Sequence, residues 1–200
     1  MVEADIKMKD KIESVLIETA IKVAKSGNGC LFVIMENKIP YNQLIKKDLI
    51  PFTVFGNERR LQALAVLDGA VIIDMKGFVL GYSCNILNIK TFRGFGTRHS
   101  AGYTASLNNN TSILASEEDK KVRIFKNGKL VVQIDALEKG IENRIKESVD
   151  FLDSVGVGAL GTIVAMAMAP TLGVTIVPGI IIFGSAHYLI KLLVNQNGRH

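Results

Sequence analysis

One short segment near the middle of the chain combines side chains suited to binding an anion. It reads GTRHS, from Gly96 to Ser100. If the segment opens a helix, Thr97 can cap it, and the free amides and dipole of the first turn favour an anion. Arg98 adds a forked cation that fits phosphate oxygens, and His99 and Ser100 add hydrogen-bond donors. The segment therefore predicts a polyphosphate grip, with an ordinary capped surface loop as the alternative.

Carboxylates stand at the ends of two predicted strands. Asp68, followed by Gly69 and Ala70, directly precedes the apolar run VIID, where it could bind a divalent cation or activate a hydroxyl. Ser116 and the acids up to Glu118 follow the apolar run SILA, and acids in such a place can complete a metal site. Each motif also has an alternative interpretation: Asp68 could be an ordinary turn aspartate, and the two acids after Ser116 could be a solvated pair.

The first third of the chain has clear helix and strand signals. Apolar residues recur with helical period between Asp5 and Lys25, and Gly27 follows as a stop signal. The run CLFVIM at residues 30–35 is short, β-branched and aromatic, which favours a buried strand. A further helix is predicted around residues 58–65.

The elements that follow alternate between strands and helices. The segment AVIIDMKGFVLGYSCNIL predicts a strand hairpin, and a short helix is predicted to begin near Thr97. Asn127-Gly128 lies between VRIF and KLVVQI, a strong hairpin signal. A polar helix is predicted from residue 137 to about residue 152. This order predicts an α/β fold in which helices flank a mixed central β-sheet.

Composition limits the functional classes. The formal net charge is +5, but lysines and arginines are scattered, which argues against a nucleic-acid partner. The two cysteines, Cys30 and Cys84, lie far apart in apolar runs and form neither a zinc motif nor a disulfide framework. Both are predicted to be core residues of a reduced cytoplasmic domain, since the amino terminus lacks a secretion signal.

The chemistry of the chain changes after Asp153. No charged residue occurs from Ser154 to Ala186, a composition typical of membrane segments. Two spans, 155–172 and 176–194, would form a transmembrane helical hairpin with both ends facing the cytoplasm. A buried helical hairpin that docks on another subunit is the alternative. We therefore predict three regions: a domain at 1–135, a linker helix at 136–153 and a membrane-associated hairpin at 154–200.

The motifs taken together resemble the diadenylate cyclase (DAC) family. The segments NGCLFVIME, LDGAVIID, GYSCNIL, GTRHSA and ILASEE occur in the order and at the spacing of that family. The resemblance covers residues 10–135, and the DGA and GTRH pair carries most of its specificity. It implies the DAC-domain fold and the condensation of two ATP into cyclic di-AMP with release of two pyrophosphates. It also implies a face-to-face dimer and a divalent metal, Mg²⁺ or Mn²⁺.

The resemblance also implies roles for individual residues. Asp68 and Glu118 would bind the metal, and Asp68 would activate the ribose 3′-hydroxyl that attacks the α-phosphate of the opposite ATP. Asp68, Arg98 and His99 would be the catalytic residues. ATP would be contacted by Gly69, Ala70, Ile86, Leu87, Gly96, Thr97, Arg98, His99, Ser100 and Ser116, with Ile86 and Leu87 against the adenine.

The chain departs from the family at one position of the phosphate grip. The family motif RHR has its second arginine where this chain has Ser100. Losing a charge-assisted contact of about 1.5–3 kcal/mol would slow turnover roughly ten- to a hundredfold. Arg93, Lys120 and Lys121 are nearby cations that could take its place.

Two other functions stay open at this point. A cyclase-like module could bind nucleotide without forming product, as a sensor or assembly partner, and Ser100 favours this alternative. A purely structural, membrane-linked oligomerisation protein would bind no nucleotide. Asp68, Arg98 and His99 argue against that third reading.

Overall fold

The computed structural model of the chain describes residues 2–45, 50–144, 174–177 and 179–183. These residues form one mixed sheet and three α-helices. The helices are α1 Val2–Lys25, α2 Glu58–Ala65 and α3 Thr97–Ala105, and a short 3-10 helix spans Ile141–Arg144. The strands are β1 Cys30–Met35, β2 Tyr41–Gln43, β3 Ala70–Asp74, β4 Val79–Ile86, β5 Thr111–Ala115, β6 Lys121–Lys126, β7 Lys129–Asp135, β8 Val174–Val177 and β9 Ile180–Phe183.

The strands follow the order β2-β4-β3-β1-β5-β6-β7-β9-β8. Strands β1 and β3 pair in parallel, and the other neighbours are antiparallel. The two predicted hairpins are confirmed, β3–β4 around a turn at residues 74–77 and β6–β7 around Asn127-Gly128. Both Asn127 and Gly128 have a positive φ, as a tight two-residue hairpin requires.

Apolar residues alternate along the central strands and so cover both faces of the sheet. In β1, Phe32 and Ile34 pack in a large cluster with α1 and α2, whereas Leu31 and Val33 pack in a second cluster on the α3 side. Burying apolar surface on both faces stabilises a layered domain. The predicted α/β class with a mixed, helix-flanked sheet is confirmed.

One end of the sheet gathers several strand termini. Cys30 at the start of β1 pairs with Ala115 at the end of β5, and Ala70 at the start of β3 pairs with Cys84 near the end of β4. Ala115 also pairs with Val122 at the start of β6. The DGA segment, the acids after Ala115 and the first residues of β6 are therefore at the same end.

The structure corrects part of the carboxyl-terminal prediction. The second predicted membrane span begins at about residue 176, but residues 174–177 and 180–183 form strands that extend the sheet beyond β7. Their sequences, VTIV and IIIF, are rich in β-branched residues, which favour strands over helices. Gly179 between them has a φ of +80°, suited to a tight turn.

The remainder of the predicted hairpin at 154–200 lies outside the described residues. In the described part of the chain, no helix combines the length and apolar character needed to cross a bilayer. The linker helix predicted for 136–153 is also corrected where it can be followed, because residues 141–144 form a 3-10 helix. Its remaining part, residues 145–153, is outside the described ranges too.

Both cysteines are buried free thiols, as predicted. Burial raises the pKa of Cys30 to about 12 and the pKa of Cys84 to about 11. Both thiols are therefore protonated at neutral pH and act as core residues.

Candidate functional site

A cavity of about 470 Å³ opens at the end of the sheet where the strand termini meet. Its wall combines glycines of the loop before α3, one residue of α3, and residues from the end of β5 to the start of β6. The lining residues are Gly94, Phe95, Gly96, His99, Ser116, Glu118, Asp119 and Arg123. Four residues that the sequence analysis assigned to nucleotide or metal binding, Gly96, His99, Ser116 and Glu118, line this cavity together.

Arg123 is the centre of a hydrogen-bond network in the cavity wall. Its side chain is only 4% exposed. Nη1 lies 3.0 Å from Nε2 of His99 and 3.2 Å from Oδ1 of Asp119, and Nη2 donates to Oδ2 of Asp119. Nε donates to Oε1 of Gln133 at 3.0 Å. A buried guanidinium needs this degree of pairing to offset its desolvation.

His99 is neutral at physiological pH. Burial lowers its pKa, the positive charges of Arg123 and Arg98 lower it further, and Asp119 opposes them, with a resulting pKa of about 4. A guanidinium has no acceptor, so Arg123 must donate to Nε2 of His99. The imidazole proton of the neutral ring therefore lies on Nδ1, which leaves Nδ1–H as the donor that His99 can offer.

Asp119 balances the charge of Arg123. Partial burial acts to raise its pKa, but hydrogen bonds from Arg123 and Ser116 outweigh that effect and bring the pKa to about 2. The carboxylate is therefore ionised throughout the neutral range, and the Asp119–Arg123 pair carries no net charge.

The low pKa of His99 predicts an acid-sensitive stability. Between pH 6.5 and about 4, His99 is protonated in the unfolded chain but stays neutral in the folded protein. Because the unfolded state binds the extra proton, acidification favours unfolding. We expect the free energy of unfolding, measured in urea, to fall faster for the wild type than for His99→Gln as the pH falls through this range. Above pH 6.5 the two curves should run parallel. Curves that stay parallel down to pH 4.5 would contradict the neutral state of folded His99.

Asp68 lies in a tight turn at the same end of the sheet but does not line the cavity. Its side chain is exposed, and its Oδ1 accepts the backbone N–H of Gly69 at 3.0 Å. Its backbone oxygen accepts the hydroxyl of Ser83 at 2.5 Å. Because β1 lies between β3 and β5, Asp68 is two strand spacings, about 10 Å, from the chain at Ser116.

Gly69 is required by this turn. Its φ is +95°, and a Cβ built there would meet the backbone N of Cys84 and the backbone C of Ser83, each at 2.8 Å. We expect Gly69→Ala to destabilise the fold by about 1–3 kcal/mol, since both the backbone conformation and the contact are unfavourable. Urea unfolding measures the loss. Gly56→Ala is the control for the positive φ alone, because Gly56 has a φ of +71° with open space around its Cβ position. Equal losses in the two variants would show that the contact with β4 costs nothing.

Other predicted site residues surround the cavity without lining it. Helix α3 begins at Thr97 with Gly96 as the N-cap residue, so Thr97 is the first helical residue and not the predicted cap. Arg98 is half-buried, and its guanidinium lies close to Gly29 at the start of β1. Ile86 is buried in the cluster on the α3 side, and Leu87 is half-buried.

Ser100 is turned towards the protein interior. It is 6% exposed, and its Oγ accepts the backbone N–H of Phe92 at 3.0 Å. The ring of Phe92 stacks on Phe95 at 5.0 Å, and Phe95 in turn lies 4.9 Å from the His99 ring. Ser100 therefore anchors the loop that forms one wall of the cavity.

Two widely spaced carboxylates, those of Asp68 and Glu118, are the metal ligands that the resemblance implies. Within the described residues, no group of three or more histidine, cysteine, aspartate or glutamate side chains is placed to hold a metal ion. Both side chains are exposed, and Asp68 lies just before the start of β3 whereas Glu118 lies just after the end of β5. Each of them alone fits a Mg²⁺ ion that is held by one carboxylate and completed by substrate phosphates.

Sequence reasoning missed four residues of the cavity wall. These are Gly94, Phe95, Asp119 and Arg123. Arg123 did leave a signal, since it is a charged residue on the same strand face as buried Phe125 and has an acid four positions before it. None of the cations nominated to replace the missing arginine lines the cavity. Those were Arg93, Lys120 and Lys121.

Comparison with known proteins identifies a family over the central part of the chain. The family model described as DisA bacterial checkpoint controller nucleotide-binding (DAC) matches residues 17–130. The diadenylate cyclase of Haloferax volcanii is 30% identical in an alignment of length 138 that covers 60% of this chain and 51% of that protein. The chain thus spans about half the length of this curated relative.

Two solved structures resemble the chain at lower identity. DacA from Staphylococcus aureus, solved as a double mutant, gives a TM-score of 0.49 at 18% identity over 70% of this chain and 97% of its own. A hypothetical membrane spanning protein from Bacillus cereus gives a TM-score of 0.43 at 21% identity over 57% of this chain and 59% of its own. Because the family model spans more than half of the sequence, the chain belongs to the DAC family of DisA-type nucleotide-binding domains.

Proposed function

We propose that the chain is a diadenylate cyclase that condenses two ATP into cyclic di-AMP and two pyrophosphates. The observation that carries the proposal is the fold, which brings the DGA segment and the acids after β5 to one end of the sheet and the GTRH segment beside those acids. A cavity large enough for part of a nucleotide opens there. Membership of the DAC family and the activity named for the Haloferax volcanii relative support the same reaction.

The phosphate end of ATP fits the amino terminus of α3. The first amides of a helix have no partner inside the helix, so the N–H groups from Thr97 to His99 and the helix dipole can hold phosphate oxygens. Arg98 adds a bidentate cation, and Nδ1–H of His99 adds a donor. Gly96 brings the backbone close to the ligand because it has no side chain.

The ribose end of ATP is assigned to the DGA turn. Asp68 would accept the proton of the 3′-hydroxyl, whose oxygen bonds to the α-phosphorus of the second ATP while the bond from that phosphorus to the pyrophosphate oxygen breaks. Two such transfers close the ring and release two pyrophosphates. Because Asp68 stands apart from the cavity wall, the two ends of the reaction are assigned to two facing protomers, and a dimer is part of the proposal.

A divalent cation completes the proposed site. Asp68 of one protomer and Glu118 of the facing protomer would hold Mg²⁺ or Mn²⁺ together with phosphate oxygens, and the ion would neutralise charge on the phosphates. The residues of the chain then contribute by orienting the two nucleotides and stabilising charge, which is how most phosphoryl-type transfers are accelerated.

The test is product identification. The full chain is incubated with ATP and either Mg²⁺ or Mn²⁺, and the products are identified by mass spectrometry. We expect cyclic di-AMP and pyrophosphate in a ratio of one to two, with a specific activity that rises with protein concentration if the dimer is the active form. Absence of cyclic di-AMP with both metals would refute the proposal.

A second candidate is a nucleotide-binding module without turnover. The observation that favours it is Ser100, whose hydroxyl is bound to Phe92 and does not line the cavity. ATP binding in calorimetry together with no product at either metal would support this function. This second function differs from the first only in the absence of turnover, because both functions require that the amino terminus of α3 bind the phosphates.

Gly29 gives a way to move Arg98 without removing its charge. A Cβ at Gly29 would lie 2.1 Å from Nη1 of Arg98 and 3.2 Å from the backbone oxygen of Ala115. We expect Gly29→Ala to displace the guanidinium and weaken ATP binding about tenfold, with a small loss of stability. Calorimetry measures the affinity. Gly94→Ala, with open space around its Cβ position, shows how much a glycine change at the cavity itself matters. ATP affinity equal to that of the wild type would exclude Arg98, in this position, from the phosphate grip.

Membrane attachment remains part of the proposal. The uncharged residues of the run from Ser154 to Ala186 that lie outside strands β8 and β9 support a membrane-associated protein whose catalytic domain faces the cytoplasm. The scattered lysines and arginines of the chain give no support to a nucleic-acid partner. Fractionation of cells that express the full chain tests the location. Recovery of all the protein in the soluble fraction would contradict it.

A further inference from the structure

We propose that Arg123, held in place by Asp119, is a positioning residue that fixes His99 with its proton on Nδ1 and so prepares the phosphate grip. This inference rests on the proposed function for the identity of the ligand. It concerns a residue that the motif comparison did not nominate.

Arg123 is built into the cavity wall and is not a mobile surface cation. It is 4% exposed, and its position in β6 is fixed by pairing with Gln133 of β7, whose side chain also accepts from Nε. Asp119 binds both Nη1 and Nη2, so the plane of the guanidinium is set as in a forked ion pair. The second N–H of Nη1 then donates to Nε2 of His99, 3.0 Å away.

This contact decides which form of His99 the ligand meets. A neutral imidazole exists as two tautomers, and the hydrogen bond made by one nitrogen selects the proton on the other. Because Arg123 can only donate, it selects the Nδ1–H tautomer and excludes an acceptor at Nδ1. A phosphate oxygen needs a donor, so the selected tautomer is the one that favours binding.

The charge balance of the cavity supports the same role. Among the described residues that line the cavity, Arg123 alone carries a full positive charge, while Glu118 and Asp119 are acids. Its contacts use Nε–H, both hydrogens of Nη1 and one of Nη2, so one N–H of Nη2 is left. Ser100, at the position where the family has its second arginine, faces Phe92. The second cation at this site is therefore supplied from β6.

The test combines spectroscopy with ligand binding on the full chain. Histidine side chains are labelled with ¹⁵N, and His99 is assigned by the loss of its signals in His99→Gln, since the chain has three histidines. We expect wild-type Nε2 to resonate as an unprotonated nitrogen at neutral pH and Nδ1 as a protonated one. In Arg123→Gln we expect both tautomers, and a Kd for ATP raised about 10- to 100-fold.

A second variant and a control keep the result interpretable. Arg123→Lys retains the charge but cannot bind Asp119, Gln133 and His99 together, so it should recover part of the ATP affinity and keep mixed tautomers. Arg59→Gln removes an exposed arginine from α2 on the opposite face of the sheet and should change neither readout. If Arg123→Gln fails to fold, Arg123→Lys still tests the tautomer.

The outcomes separate this inference from the proposed function. A single Nδ1–H tautomer with wild-type ATP affinity in both Arg123 variants would overturn the role of Arg123 whether or not the protein is a cyclase. A wild type that makes no cyclic di-AMP but shows the expected tautomers would refute the proposed reaction and leave the role of Arg123 in place.

Discussion

Asp68→Asn is expected to reduce cyclic di-AMP formation by about 10²- to 10⁴-fold, the usual range for loss of a general base. The asparagine keeps an oxygen that can accept the N–H of Gly69, so the turn itself should persist. Asp68 is exposed and lies outside the cavity wall, so the Kd for ATP without metal should change little, whereas the Kd with metal should rise because Asp68 is a proposed metal ligand. Initial rates by mass spectrometry, with calorimetry for ATP, measure the two quantities separately.

A matched variant stands at the other end of the same strand. Asp74 is the last residue of β3, whereas Asp68 lies two residues before its start, and Asp74 likewise accepts backbone N–H groups, from Lys76 at 2.9 Å and Phe78 at 2.8 Å. Asp74→Asn should therefore reproduce any general effect of the substitution on a turn without changing turnover. Turnover by Asp68→Asn within threefold of the wild type would remove Asp68 from the reaction.

Local signals predicted most of the elements that carry the site. The hairpin around Asn127-Gly128, the helix beginning at Thr97 and the buried strand at residues 30–35 are all present. Each depends on neighbours in the sequence, such as a turn dipeptide or a regular apolar period, so one sequence is enough to find it. Strand β2 was missed because three polar residues, YNQ, have no such period and pair only through contact with β4.

The carboxyl-terminal strands show where composition misleads. An uncharged apolar run predicts burial but does not decide between lipid and the edge of a sheet. In β9, Ile180 is 2% exposed and packs in the cluster with Ile134 and Ile141. The isoleucines that suggested a membrane helix are therefore partly explained by sheet packing, which depends on contacts between distant parts of the chain.

The residues of the candidate site also fall into two groups: those that sequence motifs indicate and those that only the three-dimensional contacts reveal. Motif spacing predicted Gly96, His99, Ser116 and Glu118, because strand ends and a helix start bring them together. Arg123 and Asp119 belong to no motif, and their importance lies in a guanidinium that points across the α3 side of the sheet to His99. Side-chain direction of this kind depends on register and packing, so the sequence could indicate a buried charge but not its partner.

Ser100→Arg is expected to destabilise the protein and to lower turnover, although the family motif alone predicts a gain from restoring the arginine. Ser100 is 6% exposed and its Oγ accepts the N–H of Phe92. The substitution inserts a large cation into packed space and leaves that N–H without its acceptor, at a cost of about 2–5 kcal/mol. The Tm should fall by roughly 5–15 °C.

The loss of activity follows from the loop that Ser100 holds. Phe92 packs against Phe95 and Phe125, and Phe95 lies over both His99 and the guanidinium of Arg123. Displacing Phe92 therefore disturbs the wall of the cavity as well as the core. Ser100→Ala removes only the acceptor and should cost about 1–3 kcal/mol, with a smaller loss of turnover.

Thr97→Arg provides the stability control for the added side chain. Thr97 is exposed in the first turn of the same helix, so an arginine there should cost less than about 1 kcal/mol, mainly through the helix dipole. Thermal unfolding of the three variants and the wild type measures the series, and mass spectrometry measures product. If Ser100→Arg kept the wild-type Tm and formed more cyclic di-AMP, residue 100 would have to face the nucleotide, and the cation at this site would no longer need to come from Arg123.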